Sequence, residues 1–253
     1  MVQPDVTAFY DGATATISYV VRDPAGRAAA IIDPVLDFDA ESGRTSTASV
    51  DRIVDFVEQA GLQVRWILET HAHADHLSAA PLLKQRFGAP VAIGEHITTV
   101  QRTFGDVFNL GAALETDGRQ FDRQFADGDR FAIGGLDGRV LHTPGHTPAC
   151  VTYVIGDAAF IGDTLFMPDH GTARADFPGG DARALYRSIQ RILDLPETTR
   201  LFLCHDYPPN GRDPAWQTTV AEQRAGNMHV HAGRLPAPES NGVSYLKLPV
   251  DAL

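Results

Sequence analysis

Thr70-His71-Ala72-His73-Ala74-Asp75-His76 follows the apolar run Val64-Arg65-Trp66-Ile67-Leu68 and precedes a segment with helical spacing, and its reading decides the rest of the chain. Side chains two apart in extended backbone point the same way, so His71 and His73 can aim both imidazoles at one ion. Asp75 and His76 lie where the chain turns toward the next helix and can face a neighbouring position. Three imidazoles and a carboxylate within six residues make one loop a source of four metal ligands.

Three later segments supply what that loop lacks. His142-Thr143-Pro144-Gly145-His146-Thr147-Pro148 follows a strand-like run, and its Pro-Gly turn can present His146 inward. Ile161-Gly162-Asp163 ends a second apolar run with a carboxylate, and Cys204-His205-Asp206 ends a third with an imidazole. Each candidate ligand terminates a strand, where sheets of the α/β kind collect their sites. His142, across the turn from His146, reads as a supporting or core histidine, Asp206 as a supporting or capping carboxylate, and Cys150 as a small core residue. Cys204 is expected to alternate away from His205 into the core. His96, His229 and His231 have no such context and read as surface histidines.

Around these motifs the chain alternates strands and helices. Ala15–Val21 and Ala28–Ile32 flank Asp23-Pro24-Ala25-Gly26 and read as a hairpin. Val50–Ala60 carries Val50, Ile53, Val54 and Val57 on one face and reads as a helix closed by Gly61. Leu77–Phe87 before Gly88 and Ala184–Leu193 are further helices. Val91–Ile93, Arg130–Ile133, Gly138–Leu141, Cys150–Ile155, Ala158–Ile161 and Leu201–Cys204 are strands. Residues 97–125 show neither period clearly and are expected to form an irregular or partly helical insertion. Helices packed outside a pair of sheets fit this order, in one α/β (α+β) domain spanning residues 1–253 with a short tail after about 210.

Composition narrows the function. Thirty-two acids against 21 bases leave a net charge of −11, which repels a phosphate backbone; no nucleic-acid partner is expected. No apolar run is long enough to span a bilayer, and the start Met1-Val2-Gln3-Pro4-Asp5 lacks the basic and apolar regions of an export signal, so a soluble, cytoplasmic protein is expected. Two cysteines, Cys150 and Cys204, fit a reducing compartment.

The ordered set His71-Ala72-His73-Ala74-Asp75-His76, Gly145-His146, Gly162-Asp163 and His205 resembles the metallo-β-lactamase-fold superfamily over about residues 10–210. The resemblance implies an αββα sandwich of two mixed sheets with a metal site at one edge. In members with two zinc ions, the positions matching His71, His73 and His146 hold one metal. Those matching Asp75, His76 and His205 hold the other, and Asp163 bridges. Pro144–Cys150, Arg174-Ala175-Asp176-Phe177 and His205-Asp206-Tyr207 further resemble the persulfide dioxygenases of bacterial type.

That likeness implies one Fe(II) per chain, held by His71, His146 and Asp163 in a two-histidine, one-carboxylate facial triad with open positions for substrate and O₂. His73, Asp75, His76 and His205 then surround the ligands, Tyr207 hydrogen-bonds oxygen or substrate, and Arg174 either pairs with a carboxylate of glutathione persulfide or forms an ion pair with Asp176 or Asp181. The expected partners are a small-molecule persulfide and O₂, with a homo-oligomer possible in such proteins. The alternative is a Zn²⁺ enzyme, a dizinc thioester hydrolase resembling glyoxalase II. Only 48 residues follow His205, interrupted by Pro208-Pro209, Pro214, Pro236 and Pro238, which suits that reading poorly. A non-enzymatic metal-binding module ranks last. Two departures from the pattern, the 75 residues between His71 and His146 and the segment Met167-Pro168-Asp169-His170-Gly171, fall where substrate choice is set, and His170 can reach the pocket mouth.

Overall fold

The computed structural model describes residues 3–230, so the end of the expected tail and His231 lie outside the described residues. The N-terminal half runs β1 (Asp5–Asp11), β2 (Thr16–Arg22), β3 (Ala28–Ile32), β4 (Val35–Asp39), β5 (Arg44–Ser46), α1 (Ala48–Gln59), β6 (Gln63–Leu68), β7 (Leu77–Ser78), α2 (Ala80–Phe87), β8 (Val91–Gly94), α3 (Ile97–Val107) and β9 (Arg123–Phe125). The second half runs β10 (Arg130–Ile133), β11 (Leu136–His142), β12 (Val151–Ile155), β13 (Ala158–Phe160), α4 (Ala182–Leu193), β14 (Arg200–Phe202), β15 (Gln217–Thr219) and α5 (Val220–Gly226).

Two six-stranded sheets result, β1-β2-β3-β6-β8-β9 and β10-β11-β12-β13-β14-β15. The first is antiparallel through β3 and parallel from β3 to β9. In the second, the β13–β14 pair is parallel and its neighbours antiparallel. Alternation along the strands builds three apolar layers. Ile17, Tyr19 and Val21 of β2 face Tyr153, Ile155, Phe160 and Phe202 between the sheets. Val20, Ala29, Ile31 and Ile67 turn outward onto Val50, Ile53 and Val57 of α1 and Leu83 of α2. On the far side, Ala159, Ile161 and Leu201 pack against Leu185, Ile189 and Ile192 of α4. This is the αββα sandwich that the motif order implied.

Several elements differ from the sequence reading for local reasons. The helix expected from Leu77 begins at Ala80, because Leu77 and Ser78 pair with Leu36 and Val35 in a small sheet, β5-β4-β7. Within 97–125, α3 buries Ile97 and Val100, spaced for one helical face, and β9 extends the first sheet. After residue 210, β15 completes the second sheet and α5 starts from a Thr219–Glu222 capping box.

The fold places the site through two glycines. Gly162 has φ +52° and sits so close to Thr70 that a Cβ would lie 2.7 Å from the Thr70 hydroxyl. At Gly145 φ is +140°, and a Cβ would meet the Leu185 nitrogen of α4 at 2.2 Å. Gly145→Ala therefore forces α4 off the loop that carries His146. The expected outcome is a loss of about 2 kcal/mol in a urea or thermal melt, and an unchanged midpoint would contradict this packing.

Candidate metal centre

All the candidate ligands meet at one end of the sandwich. His71, His73, Asp75 and His76 lie on the loop after β6, His146 between β11 and β12, Asp163 after β13 and His205 after β14. His71, His146 and Asp163 are buried and bring one donor atom each within 4.8 Å of the others. Asp163 Oδ2 lies 3.9 Å from His71 Nε2 and 3.6 Å from His146 Nε2, while its Oδ1 lies 3.5 Å from His205 Nε2. His73, Asp75, His76 and His205 form a second such group. Asp75 Oδ2 is 3.3 Å from His205 Nε2.

Hydrogen bonding determines which nitrogen each ring offers. Thr70 Oγ1 donates to Asp33 Oδ2 at 2.9 Å, so at 3.0 Å it accepts from His71 Nδ1–H. His146 Nδ1–H donates to the Arg174 carbonyl, and His76 Nδ1–H to the Leu77 carbonyl, both at 3.0 Å. Each ring therefore turns a bare Nε2 toward the centre, the arrangement by which ligating histidines are oriented. His73 is reversed: its Nε2 faces Asp33 Oδ1 at 3.3 Å and Glu69 Oε2 at 3.5 Å.

Four atoms around the centre, His73 Nδ1, His76 Nε2, His205 Nε2 and Asp163 Oδ1, are buried without a hydrogen-bond partner. A buried unpaired polar atom costs about 1–3 kcal/mol, and four converging on one place fit cation binding. The mixed imidazole and carboxylate donors suit iron or zinc.

Burial, followed by the neighbouring imidazoles, holds His71 well below the ordinary histidine value. Burial and then His73 bring His76 down to about 4. Both rings are neutral at pH 7, as ligation requires. His73 moves the other way: burial pulls it down, but Cys204, Asp33 and Glu69 around it hold it well above the usual range.

A cavity of about 390 Å³ opens onto Asp163, His146 and Asp75 and is walled by Phe166, Phe177 and Tyr207. Tyr207 stacks on His205 with ring centroids 5.6 Å apart, and burial, then Asp163 and Asp75, raise its phenol above the usual tyrosine value. His170 also lines this cavity, 5.3 Å from the Tyr207 ring. Arg174 stands at the rim. Its guanidinium pairs with Asp176 at 2.6 and 2.7 Å and lies 5.0 Å from the Phe177 ring, while Asp181 caps α4 instead.

Other residues depart from their sequence reading or fill it in. Cys204 is buried as expected but does not turn away from the site: its Sγ is 3.7 Å from Asp33 Oδ2, and it groups with Asp163 and His205. A residue that leaves β14 just before it no longer obeys strand alternation. His229 is half-buried rather than a free surface histidine, and its Nδ1 accepts from Thr172 N at 3.1 Å. His142 lies outside the ligand groups, bonded through Nε2 to the Pro148 carbonyl, and Asp206 holds Arg212 and Ala215 N. Asp33 and Glu69, which the motif reading missed, flank His73. The signal for Asp33 was an acid directly after the wholly apolar strand Ala28–Ile32.

The family model for the metallo-beta-lactamase superfamily matches residues 11–205. A probable metallo-hydrolase of Burkholderia pseudomallei is 51% identical, covering 98% of this chain and 99% of that one. Glyoxylase B2 of Dictyostelium discoideum is 43% identical over 98% and 97%. Mitochondrial persulfide dioxygenase ETHE1 of Homo sapiens is 29% identical over 78% and 66%. The chain spans 65% of the length of a β-lactamase hydrolase-like protein of Xylella fastidiosa, to which it is 53% identical over 99% of its own length. Among solved structures, ETHE1 of Myxococcus xanthus superposes with a TM-score of 0.71 at 29% identity, covering 95% of this chain and 96% of that one. No helix among the described residues is long and apolar enough to cross a membrane.

The lowered His76 value sets the acid response. Below pH about 6.5 the unfolded chain binds a proton at this ring, whereas the folded chain does so only near about 4. Stability from this ring is thus full above about 6.5 and falls as the pH drops toward 4. His73 contributes with opposite sign, its share being present at low pH and lost as pH rises through its raised folded value. His76→Gln is expected to reduce the acid-side loss of stability of metal-free protein by about 2 kcal/mol, read from urea melts at several pH values. An unaltered pH slope would contradict the assignment.

Proposed function

Because the chain belongs to the metallo-beta-lactamase superfamily, we propose that it is a non-haem iron persulfide dioxygenase. It takes a low-molecular-weight persulfide such as glutathione persulfide with O₂ and water to the thiol and sulfite. One persulfide, one O₂ and one water balance one thiol and one sulfurous acid. The observation that carries the reading is the compact His71–His146–Asp163 group, of which His146 and Asp163 line the cavity, with His73 grouped elsewhere. The named likeness to persulfide dioxygenase and to the ETHE1 structure supports it.

Fe(II) bound by His71, His146 and Asp163 would supply adjacent open positions for the persulfide sulfur and O₂, and a route for electrons between them. The protein's own groups do the rest. Phe166 and Phe177 restrict water beside the triad. Tyr207 keeps its proton and can donate a hydrogen bond into the cavity. His205 and Asp75, 3.3 Å apart, can hold a proton next to Asp163. Arg174, at the rim and steadied by Asp176, is the anchor for a substrate carboxylate. A cytoplasmic location and one domain over the whole chain belong to the same proposal.

A second reading, a dizinc thioester hydrolase, draws on the unpartnered nitrogens of His76 and His205 and on the relative named glyoxylase B2. In it Asp75, His76 and His205 hold the second ion. A non-enzymatic module would enclose its ion, whereas His146 and Asp163 border an open cavity.

Metal analysis with an oxygen electrode separates the two. The expected result is about one iron per chain and O₂ uptake only when a persulfide is added. Two tightly held zinc ions with thioester hydrolysis and no such uptake would overturn the proposal. Asp163→Ala should release the iron. Arg174→Ala should raise the persulfide concentration needed for half-maximal rate about tenfold, and unchanged kinetics would remove Arg174 as an anchor.

A further inference from the structure

A line of hydroxyl groups leads from His205 to the protein surface, and its direction can be worked out by counting hydrogens. Thr14 Oγ1 lies 2.7 Å from Asp11 Oδ2 and donates its single hydrogen to that carboxylate. Thr14 N donates to the same oxygen at 3.0 Å. Thr14 Oγ1 also lies 2.7 Å from Thr16 Oγ1, and with its hydrogen spent it must accept there. The Thr16 hydrogen is thereby committed as well. At 3.3 Å from His205 Nδ1, Thr16 Oγ1 can only accept, so the ring carries its proton on Nδ1.

The backbone holds this alignment. Thr16 and His205 form an antiparallel bridge across 189 residues of sequence, Ile17 N donates to Cys204 O at 2.7 Å, and Asp206 N donates to Ala15 O at 3.1 Å. Thr16 and His205 are both fully buried. At the other face of the ring, Nε2 is buried and unpartnered, 3.3 Å from Asp75 and 3.5 Å from Asp163. A proton on Nε2 would be donated to those carboxylates and would close the position. A proton on Nδ1 leaves a lone pair there.

We propose that Asp11, Thr14 and Thr16 are positioning residues that hold a proton on His205 Nδ1, so that Nε2 is the nitrogen left to face Asp75 and Asp163 across the centre. The inference deepens the reading of the metal centre and rests on it. Asp33–Thr70–His71 is the same device in buried form. The His205 version differs in ending at a partly exposed carboxylate that lines a wide groove of about 980 Å³ under the β4–β5 hairpin. Asp11 therefore sets, from outside, which face of a buried ring is open.

The test is nitrogen NMR of the full chain labelled at histidine, stripped with chelator and again loaded with diamagnetic zinc. Wild type is expected to show His205 with a protonated Nδ1 in both states and a bare Nε2 once zinc is loaded. Thr14→Val cuts the line at a half-buried position where folding is little affected. It frees Thr16 to donate to Nδ1, and the ratio of the Nδ1–H to the Nε2–H form should fall about tenfold. Thr16→Val should do the same and reduce persulfide-dependent oxygen uptake about tenfold, with Thr16→Ser restoring both. A wild-type His205 with no proton on Nδ1, or a tautomer ratio unmoved in Thr14→Val, would overturn the proposal. The tautomer needs no turnover for its measurement, so a wild-type chain that takes up no oxygen with persulfide counts against the dioxygenase reading alone.

Discussion

The carboxylate of Asp33 is the contact on which the site depends. It sits at the end of β3, 2% exposed, with φ +48°, a conformation that costs a residue other than glycine about 1–3 kcal/mol. Its oxygens take the Thr70 amide at 2.7 Å, the Thr70 hydroxyl at 2.9 Å and the His73 ring at 3.3 Å. Its own amide donates to Leu68 O, and its carbonyl accepts from Ser18. Hydrogen bonds to a charged group contribute about 1.5–3 kcal/mol each, enough to offset the strain and burial. Burial alone would raise its pKa, yet His73 and Thr70 bring it below the ordinary aspartate value. One residue thus ties β2, β3 and β6 to the loop that presents His71.

Asp163 has the corresponding role on the other sheet. Its two oxygens face different ways, Oδ2 toward His71 and His146 and Oδ1 toward His205. The same carboxylate can therefore close a three-ligand site or bridge two ions, and what surrounds it decides between them. His73 is held through Nε2 by Asp33 and Glu69, with Cys204 close by. On the cavity side Phe166, Phe177 and Tyr207 stand beside His146 and Asp163, so a ligand entering there meets them in a partly dry setting. On the proposed reading, the choice between one-metal and two-metal chemistry falls to residues that touch the candidate ligands, since the candidate set itself serves both.

The cluster of candidate ligands was legible because its signal is local: three imidazoles and a carboxylate in six residues, then single acids or imidazoles at strand ends. The layers followed from strand and helix periods long enough to show, as in β2, α1 and α4. What escaped was non-local or short. Asp33 lies 37 residues from Thr70, and only the fold reveals that they touch. β4, β5 and β7 are too brief for a period, and pairing with Val35 and Leu36 converted Leu77 and Ser78 from the start of a helix into a strand. Cys204 was assigned by alternation, which lapses where the strand ends, and His229 was judged exposed without its bond to Thr172. Arg174 met one of its two sequence readings directly, the ion pair with Asp176.

The central claim is that one iron is bound by the Nε2 atoms of His71 and His146 and by Asp163. X-ray absorption at the iron edge on anaerobically purified protein tests it most directly. The account requires a shell of nitrogen and oxygen neighbours with outer scattering from two imidazoles and no second metal. A metal–metal distance of about 3.5–4 Å, or scattering from more than two imidazoles, would contradict it.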